Sequence, residues 1–252
     1  MFTVTPVRAL ADNYIWVLQQ NRRAIIVDPG QAAPAQAFLE ANQLTLEAIL
    51  LTHHHADHTG GVSELSRRWP EAKVYGPADI ALVQEVVMDG SHIDTTLGSI
   101  AVLGVPGHTL DHLAYRLDDH LFCGDTLFGA GCGRLFEGTA AQMYQSLNTL
   151  AQLADNTLVY PAHEYTLSNL AFALAVEPDN AALQQREVSD RARRAQGEPT
   201  LPSTVATEKA TNPFLRATHA SIQKAVQQHT GSPVSTPELV FAELREWKNH
   251  FR

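Results

Sequence analysis

Four of the protein's 12 histidines lie within residues 53–58. His53 and His55 are two residues apart, so their imidazoles point to the same side of an extended segment. Asp57 and His58 are adjacent and face differently, which suits a second, neighbouring ion. Imidazole and carboxylate donors together are typical of zinc and related divalent metals. The spacing therefore favours a metal site over a solvated loop with incidental histidines.

Three further side chains able to bind a metal, His108, Asp125 and His163, each follow a short apolar run. Each by itself is more typical of a turn, but strand ends are where functional side chains gather in α/β sheets. Together with the histidine cluster they favour one site with two ions that share Asp125. The predicted ligands of the first ion are His53, His55 and His108, and those of the second are Asp57, His58 and His163. Two ions roughly 3.5–4 Å apart share a water whose pKa falls towards about 7, which is hydrolytic chemistry.

The elements that position these residues are short apolar runs closed by Gly, Pro or Asp, which predict strands. Helical patterns separate some of them, and this favours an α/β layered domain over an all-β sandwich. The runs 113–117 and 120–123, joined by Asp118 and Asp119, predict an antiparallel hairpin, so the sheet is expected to be mixed. The predicted strands are 14–18, 24–27, 48–51, 73–75, 100–105, 113–117, 120–123 and 157–160.

Beyond residue 165 the pattern becomes helical, apart from a connection rich in Pro, Thr and Ser around 197–212. The last helix begins with Thr236 as a cap residue, followed by a proline and an acid. We predict a metal-binding catalytic domain over 1–165 and a helical domain over 166–252. The predicted helices of the second are 167–176, 179–196, 218–229 and 237–250.

Charge and composition exclude several classes of protein. The net charge is −9, which argues against a nucleic-acid groove because phosphates need clustered Lys and Arg. Two cysteines, Cys123 and Cys132, are too few for a disulfide scaffold. The N-terminus lacks the basic head of a signal peptide, and no apolar run is long enough to span a membrane. We expect a cytoplasmic monomer without nucleic-acid or membrane partners.

The complete ligand pattern resembles the metallo-β-lactamase superfamily. A narrower similarity, to the glyoxalase II (hydroxyacylglutathione hydrolase) family, extends over the whole chain, helical region included. The segments that carry it are Asn13–Trp16, Asp28–Gly30, Phe122–Phe128, Gly131–Gly138 and Pro161–Thr166.

This resemblance implies an αββα sandwich followed by a small helical domain that helps to bind the substrate. It implies hydrolysis of S-D-lactoylglutathione and related S-2-hydroxyacylglutathiones to D-lactate, or the matching acid, and glutathione, the second step of methylglyoxal detoxification. The cofactors would be two divalent ions per chain, usually Zn²⁺, with Fe or Mn in some members. A hydroxide that bridges the ions would attack the thioester carbonyl, and Asp57 would orient it.

The family's glutathione-binding positions carry over one at a time to Arg134, Phe136, Tyr165, Arg245 and Lys248. The last two are three residues apart on one helix, so they share a face and can converge on a carboxylate. Spacing alone favours a solvated helix face for these two residues, and only the resemblance reverses that interpretation.

Two residues depart from the family pattern. Phe136 stands where some members have Tyr, so a hydroxyl contact to the substrate is missing. Asp111 stands where Gly is frequent, and it adds a carboxylate near His108. We expect His112 to lie behind the ligands and orient them rather than bind an ion.

Other functions use similar residues. A nuclease is disfavoured by the net charge, and a secreted β-lactamase by the absence of a signal peptide. A persulfide dioxygenase uses one iron, whereas a second full set of ligands is present here. A metal-dependent binding module remains the alternative outside enzymes, although a structural zinc needs only four ligands and no open position.

Overall fold

The computed structural model describes residues 1–251. The strands are β1 (Thr3–Ala9), β2 (Asn13–Gln20), β3 (Arg23–Val27), β4 (Thr45–Leu50), β5 (Lys73–Gly76), β6 (Glu85–Val86), β7 (His92–Thr95), β8 (Gly98–Gly104), β9 (Leu113–Leu117), β10 (His120–Gly124), β11 (Leu127–Phe128), β12 (Gly131–Cys132), β13 (Leu158–Pro161) and β14 (Ser203–Thr204). The helices are α1 (Ala32–Ala41), α2 (Ala56–Thr59), α3 (Val62–Arg68), α4 (Ala140–Ala151), α5 (Thr166–Val176), α6 (Ala181–Ala195), α7 (Val205–Thr211), α8 (Ala220–Thr230) and α9 (Pro237–His250), with a 3₁₀ turn at Pro213–Leu215.

The chain forms two compact units that each draw on several segments. The first unit contains residues 1–104, 111–124 and 160–163. The second contains 105–110, 125–159 and the residues from Glu164 onward.

The first unit has a sheet in the order β1-β2-β3-β4-β5-β6, antiparallel up to β3 and parallel after it. Residues 13–18 of β2 are all buried, so both faces of the sheet are covered at this strand. Ile15 and Val17 join the core formed with α1 and α3. Trp16 faces the other way, where its indole donates to the carbonyl of Pro161 at 2.8 Å.

Strands β7 to β10 form antiparallel pairs in the same unit, which confirms the predicted hairpin of β9 and β10. Tyr115 on β9 donates its phenol to the carbonyl of Leu51, just after β4, at 2.7 Å. Burial, and then the negative charge of Asp28, raise the pKa of Tyr115 well above its ordinary value. The phenol therefore stays neutral and can serve as this donor.

The parallel pairing of β3 and β4 determines where the metal loop emerges. Val27 pairs with Leu50, so the segments that follow both strands leave the sheet at the same edge. A Cβ on Gly30 would lie 1.8 Å from the carbonyl oxygen of Asp57. Only glycine permits this approach, which explains the Asp-Pro-Gly that closes β3.

The second unit contains α4 to α9, and its interior includes a buried ionic network. Arg186 on α6 donates to Glu208 at 2.7 Å, to Asp190 at 3.2 Å and to Thr211 at 2.6 Å. Glu208 is fully buried and also accepts from the backbone N–H of Ala130 at 2.8 Å. Because every charge has a partner, the network ties α6 to α7 without leaving an uncompensated ion.

The predicted strands and helices are present, with ends that differ by a few residues. Strand β1 was not predicted because Pro6 and Arg8 interrupt its apolar pattern. The predicted connection around 197–212 contains helix α7, which begins at a Thr204 cap, and the two-residue strand β14. None of the helices within residues 1–251 is long and apolar enough to cross a membrane.

Candidate active site

The histidine loop, residues 52–59, runs from the end of β4 into α2. His53 is fully buried, and its Nε2 lies 3.0 Å from Nδ1 of His55. Their ring centroids are 4.6 Å apart and the rings are nearly perpendicular. Two imidazole nitrogens aimed at each other at this distance suit two ligands of one ion.

Asp57, His58 and His163 form a second group in the first unit, with ligand atoms all within 4.8 Å of one another. The Asp57 carboxylate lies 3.5 Å from Nε2 of His58 and 3.3 Å from Nε2 of His163. Nδ1 of His163 faces the Asp12 carboxylate at 2.8 Å, and Nδ1 of His58 faces Asp28 at 3.0 Å. In the neutral imidazoles, these contacts leave the Nε2 lone pairs directed at Asp57. Two nitrogen lone pairs and a carboxylate are a donor set that fits a divalent metal.

His112 and His54 lie beside the loop in different ways. The ring of His112 is buried and stacks on His53, with centroids 4.7 Å apart and planes 21° apart. His54 instead pairs with Asp79 at 2.7 Å. That His112 orients ligands rather than binding an ion stays a prediction.

His108 and Asp125 belong to the second unit and lie next to each other there. Nδ1 of His108 donates to the carbonyl of Arg134 at 2.8 Å, so the neutral ring presents a lone pair on Nε2. That nitrogen is 3.4 Å from the Asp125 carboxylate, and both residues are buried. A Cβ on Gly133 would lie 2.0 Å from the Asp125 carbonyl oxygen, so glycine is required for this packing.

A cavity of about 410 Å³ in the second unit, which we call the cationic pocket, contains all five residues predicted to bind glutathione. Its walls combine aromatic rings, polar groups and three cations, and Asp125 is the one acid among them. The lining residues are His108, Asp125, Phe128, Cys132, Arg134, Phe136, Tyr165, Ser168, Asn169, Arg245, Lys248, Asn249 and Phe251.

Arg245 and Lys248 share one face of α9, as their spacing predicts. Arg245 is buried and donates to the carbonyl of Cys132 at 2.8 Å and to Asn249 at 3.2 Å. Lys248 donates to the carbonyl of Ser168 at 3.3 Å. Burial, and then the charges of Arg245 and Arg134, lower the pKa of Lys248. All three cations line the same cavity, as an anion-binding site requires.

Phe136 is 62% exposed, and its ring meets that of His108 edge-on at 5.1 Å between centroids. Tyr165 packs against Phe128 at 5.2 Å. Phe136, which lacks the hydroxyl of the tyrosine found in some family members, thus contacts His108, a predicted metal ligand.

Sequence reasoning missed the groups behind the ligands. Asp12 has no motif around it, and it meets His163 only because the turn after β1 lies near the end of β13. Asp28 directly follows a predicted strand and Thr52 directly precedes the histidines, and neither has a spacing that marks it as part of the site. Asp28 could have been identified by its position, because it is a carboxylate at the end of β3, the strand that pairs with β4 just before the histidine loop.

The comparisons with known proteins agree with this geometry. Residues 10–163 match the family model of the metallo-beta-lactamase superfamily, and residues 164–251 match that of the hydroxyacylglutathione hydrolase C-terminus. Proteins named hydroxyacylglutathione hydrolase are 50% identical in Dechloromonas aromatica and 52% identical in Methylobacillus flagellatus, with full coverage of both chains.

Among solved structures, ETHE1 from Myxococcus xanthus is 26% identical with a TM-score of 0.66, and the match covers 98% of each chain. TTHA1623 in a di-iron-bound form has a TM-score of 0.62 at 23% identity, which shows the shared fold; that match covers 84% of this chain and all of the other. The chain therefore belongs to the hydroxyacylglutathione hydrolase family of enzymes, within the metallo-β-lactamase superfamily.

Proposed function

We propose that this enzyme hydrolyses S-2-hydroxyacylglutathiones, S-D-lactoylglutathione among them, to a 2-hydroxy acid and glutathione. The observation that carries the proposal is the cationic pocket, which combines three cations with His108 and Asp125 in one cavity. Glutathione bears two carboxylates, and a guanidinium and an ammonium on one helix face suit one of them. The names of the relatives support the same substrate class.

The proposed cofactors are two divalent ions, zinc in both positions. The donors present fit them, since the first set offers three imidazole nitrogens and one carboxylate and the second offers two imidazole nitrogens and two carboxylates. The hydrogen bonds of His53, His58, His108 and His163 leave a lone pair on Nε2 of each ring. The first set is His53, His55, His108 and Asp125, and the second is Asp57, His58, His163 and Asp125. When bound, such ions supply a water of lowered pKa and polarise a carbonyl oxygen.

The side chains of this chain perform the remaining tasks. Asp57 accepts from the amide of Asn13 at 3.2 Å, which holds its carboxylate in place to accept a hydrogen bond from the attacking water. Arg134, Arg245 and Lys248 bind the anionic groups of glutathione. Phe136 and Tyr165 pack against its apolar parts, so that the thioester carbonyl is held near His108.

The leaving group requires little help from the protein. A thiol has a pKa of about 8.5, so its thiolate departs readily near neutral pH. A dedicated general acid is therefore unnecessary, in contrast to the hydrolysis of an amide. Cys132 is buried in the pocket wall and its pKa is raised by that burial, so we propose a structural role for this thiol rather than a nucleophilic one.

We further propose that residues 1–165 supply the metal-binding catalytic domain and residues 166–252 the substrate-binding domain. The enzyme would act as a cytoplasmic monomer in the second step of methylglyoxal detoxification, without nucleic-acid or membrane partners.

The test combines hydrolysis with metal analysis on the purified full chain. S-D-lactoylglutathione is added, and loss of the thioester and release of thiol are followed with and without a chelator. Chelator-sensitive hydrolysis with two ions per chain is expected. One iron per chain would indicate persulfide dioxygenase chemistry, and two ions without hydrolysis would refute the substrate class. A chain that binds no metal and has no activity would refute the whole proposal.

A further inference from the structure

We infer that Asp28 is a positioning residue that fixes the ring orientation and proton position of one ligand in each metal set, His58 directly and His53 through Thr52. The inference rests on the ligand sets of the proposed function. It goes beyond those ligand sets because it assigns to one carboxylate the orientation of a histidine ligand in each set.

The backbone brings Asp28 to the histidine loop. Its N–H donates to the carbonyl of Leu50 at 3.0 Å, which extends the parallel pairing of β3 and β4 by one residue. Its φ of 52° lies in the left-handed region, which is uncommon for a residue other than glycine. The chain turns sharply at this point, and the Asp28 side chain is buried, with 3% of its surface exposed.

Both carboxylate oxygens of Asp28 accept hydrogen bonds from the loop. Oδ1 accepts from the backbone N–H of Thr52 at 2.8 Å. Oδ2 accepts from the Thr52 hydroxyl at 2.7 Å and lies 3.0 Å from Nδ1 of His58. One carboxylate therefore holds the backbone, a hydroxyl and an imidazole of the same loop.

The direction of these hydrogen bonds follows from the chemistry of a carboxylate, which can only accept. The Thr52 hydroxyl must donate its one proton to Asp28, so its oxygen can only accept from Nδ1 of His53, 3.0 Å away. His53 then carries its proton on Nδ1 and has a lone pair on Nε2, the atom that faces His55. This relay assigns the tautomer that a metal ligand needs.

The same argument applies to His58 without a relay. Its Nδ1 donates to Oδ2 of Asp28, which leaves the Nε2 lone pair directed at Asp57. Asp12 does this for His163 alone, and its side chain is 40% exposed. Because Asp28 is buried and serves two rings, its effect on metal binding is expected to be larger and to extend to both ions.

Three variants of the full chain separate the two arms of the network. Asp28→Asn leaves one acceptor oxygen for three donors, and its amide group donates where the rings need an acceptor. Thr52→Val removes only the relay to His53 at nearly constant volume. Thr52→Ser keeps the hydroxyl and serves as the rescue. Asp79→Asn is the matched control, because it changes a carboxylate–imidazole pair at His54, which is outside both ligand sets.

The probe is Zn²⁺ alone, titrated into metal-free protein against a chromophoric chelator, and circular dichroism checks that each variant is folded. Loss of a partner that orients a ligand typically costs about 10–100-fold in metal affinity. We expect this loss in both binding steps for Asp28→Asn, in one step for Thr52→Val, and in neither for Thr52→Ser or Asp79→Asn.

The outcomes separate this inference from the proposed function. If the unaltered chain binds no Zn²⁺, the ligand sets themselves are wrong. If it binds two ions and Asp28→Asn binds both within twofold of the same affinity, the role of Asp28 is refuted while the metal site stands. If Thr52→Val weakens both steps equally, or Thr52→Ser fails to restore the affinity, the relay to His53 is refuted.

Discussion

The histidine loop and the cationic pocket are built in opposite ways. The loop takes its chemistry from a few consecutive residues, and buried partners such as Asp28 hold each ring. The pocket takes its cations from two segments more than 100 residues apart, Arg134 on one and Arg245 with Lys248 on the other, and burial together with the charges of the two arginines lowers the pKa of Lys248. The loop is thus organised by its own buried hydrogen bonds, whereas the pocket gathers three cations around a single carboxylate.

This contrast predicts that changes in the loop lower kcat and metal content, while changes in the pocket raise KM and leave the metal content intact. The contrast is wrong if variants of the loop raise only KM, or if variants of the pocket lower kcat and the metal content. Four predictions test it, from the largest expected effect to the smallest.

Asp57→Asn is expected to lower kcat by about 10²–10⁴-fold, the usual contribution of a positioned acid–base group. The amide weakens binding of the second ion and cannot orient the attacking water in the same way. Steady-state kinetics and metal analysis check this. His54→Ala is the control, and it should retain kcat within twofold. An Asp57→Asn enzyme with normal kcat and a raised KM would contradict the assignment.

Lys248→Met is expected to raise KM by about 10- to 100-fold, the value of a hydrogen bond to a charged group. The measurement is KM for S-D-lactoylglutathione at constant ionic strength, with metal content determined in parallel. Lys224→Met removes an exposed lysine of α8 outside the pocket and should leave KM unchanged. An equal effect of both variants would mean that only overall charge matters.

The pH dependence of KM should follow the loss of the positive charge of Lys248. An ordinary lysine keeps its charge up to about pH 10, but burial and the neighbouring Arg245 and Arg134 lower the pKa of Lys248. The cation is therefore lost as the pH rises towards that range, and KM should increase there. In Lys248→Arg the guanidinium stays charged, so the rise should move to higher pH. Identical profiles, corrected for uncatalysed hydrolysis, would exclude Lys248 as the titrating group.

Phe136→Tyr is expected to lower KM by only about two- to threefold, because a single hydrogen bond formed by an exposed side chain contributes little net free energy. Phe136→Leu removes the ring and should raise KM slightly. Metal content should be the same in both variants. A large fall in kcat would show that the contact of this ring with His108 matters for the metal and not only for the substrate.

Much of the fold was predictable because its patterns are local. The strands around the loop are continuous apolar runs, and α9 has a cap, a proline and a single apolar stripe. Strand β1 was not predictable in this way, since Pro6 and Arg8 interrupt its apolar pattern and it is held in the sheet by pairing with the buried β2. Helix α7 was not predicted because it lies in a polar segment, and its Glu208 is stabilised by Arg186, which is distant in the sequence.

The sequence by itself determined the ligand types, their spacing and the shared face of Arg245 and Lys248, because each depends on neighbours along the chain. Only the tertiary structure decided that Asp28 holds His58 and Thr52, since that contact depends on the parallel register of β3 with β4. It alone also placed Arg134 with Lys248 in one cavity. Hydrogen-bond direction and charge repulsion act through space, and a linear pattern does not record which distant groups will meet.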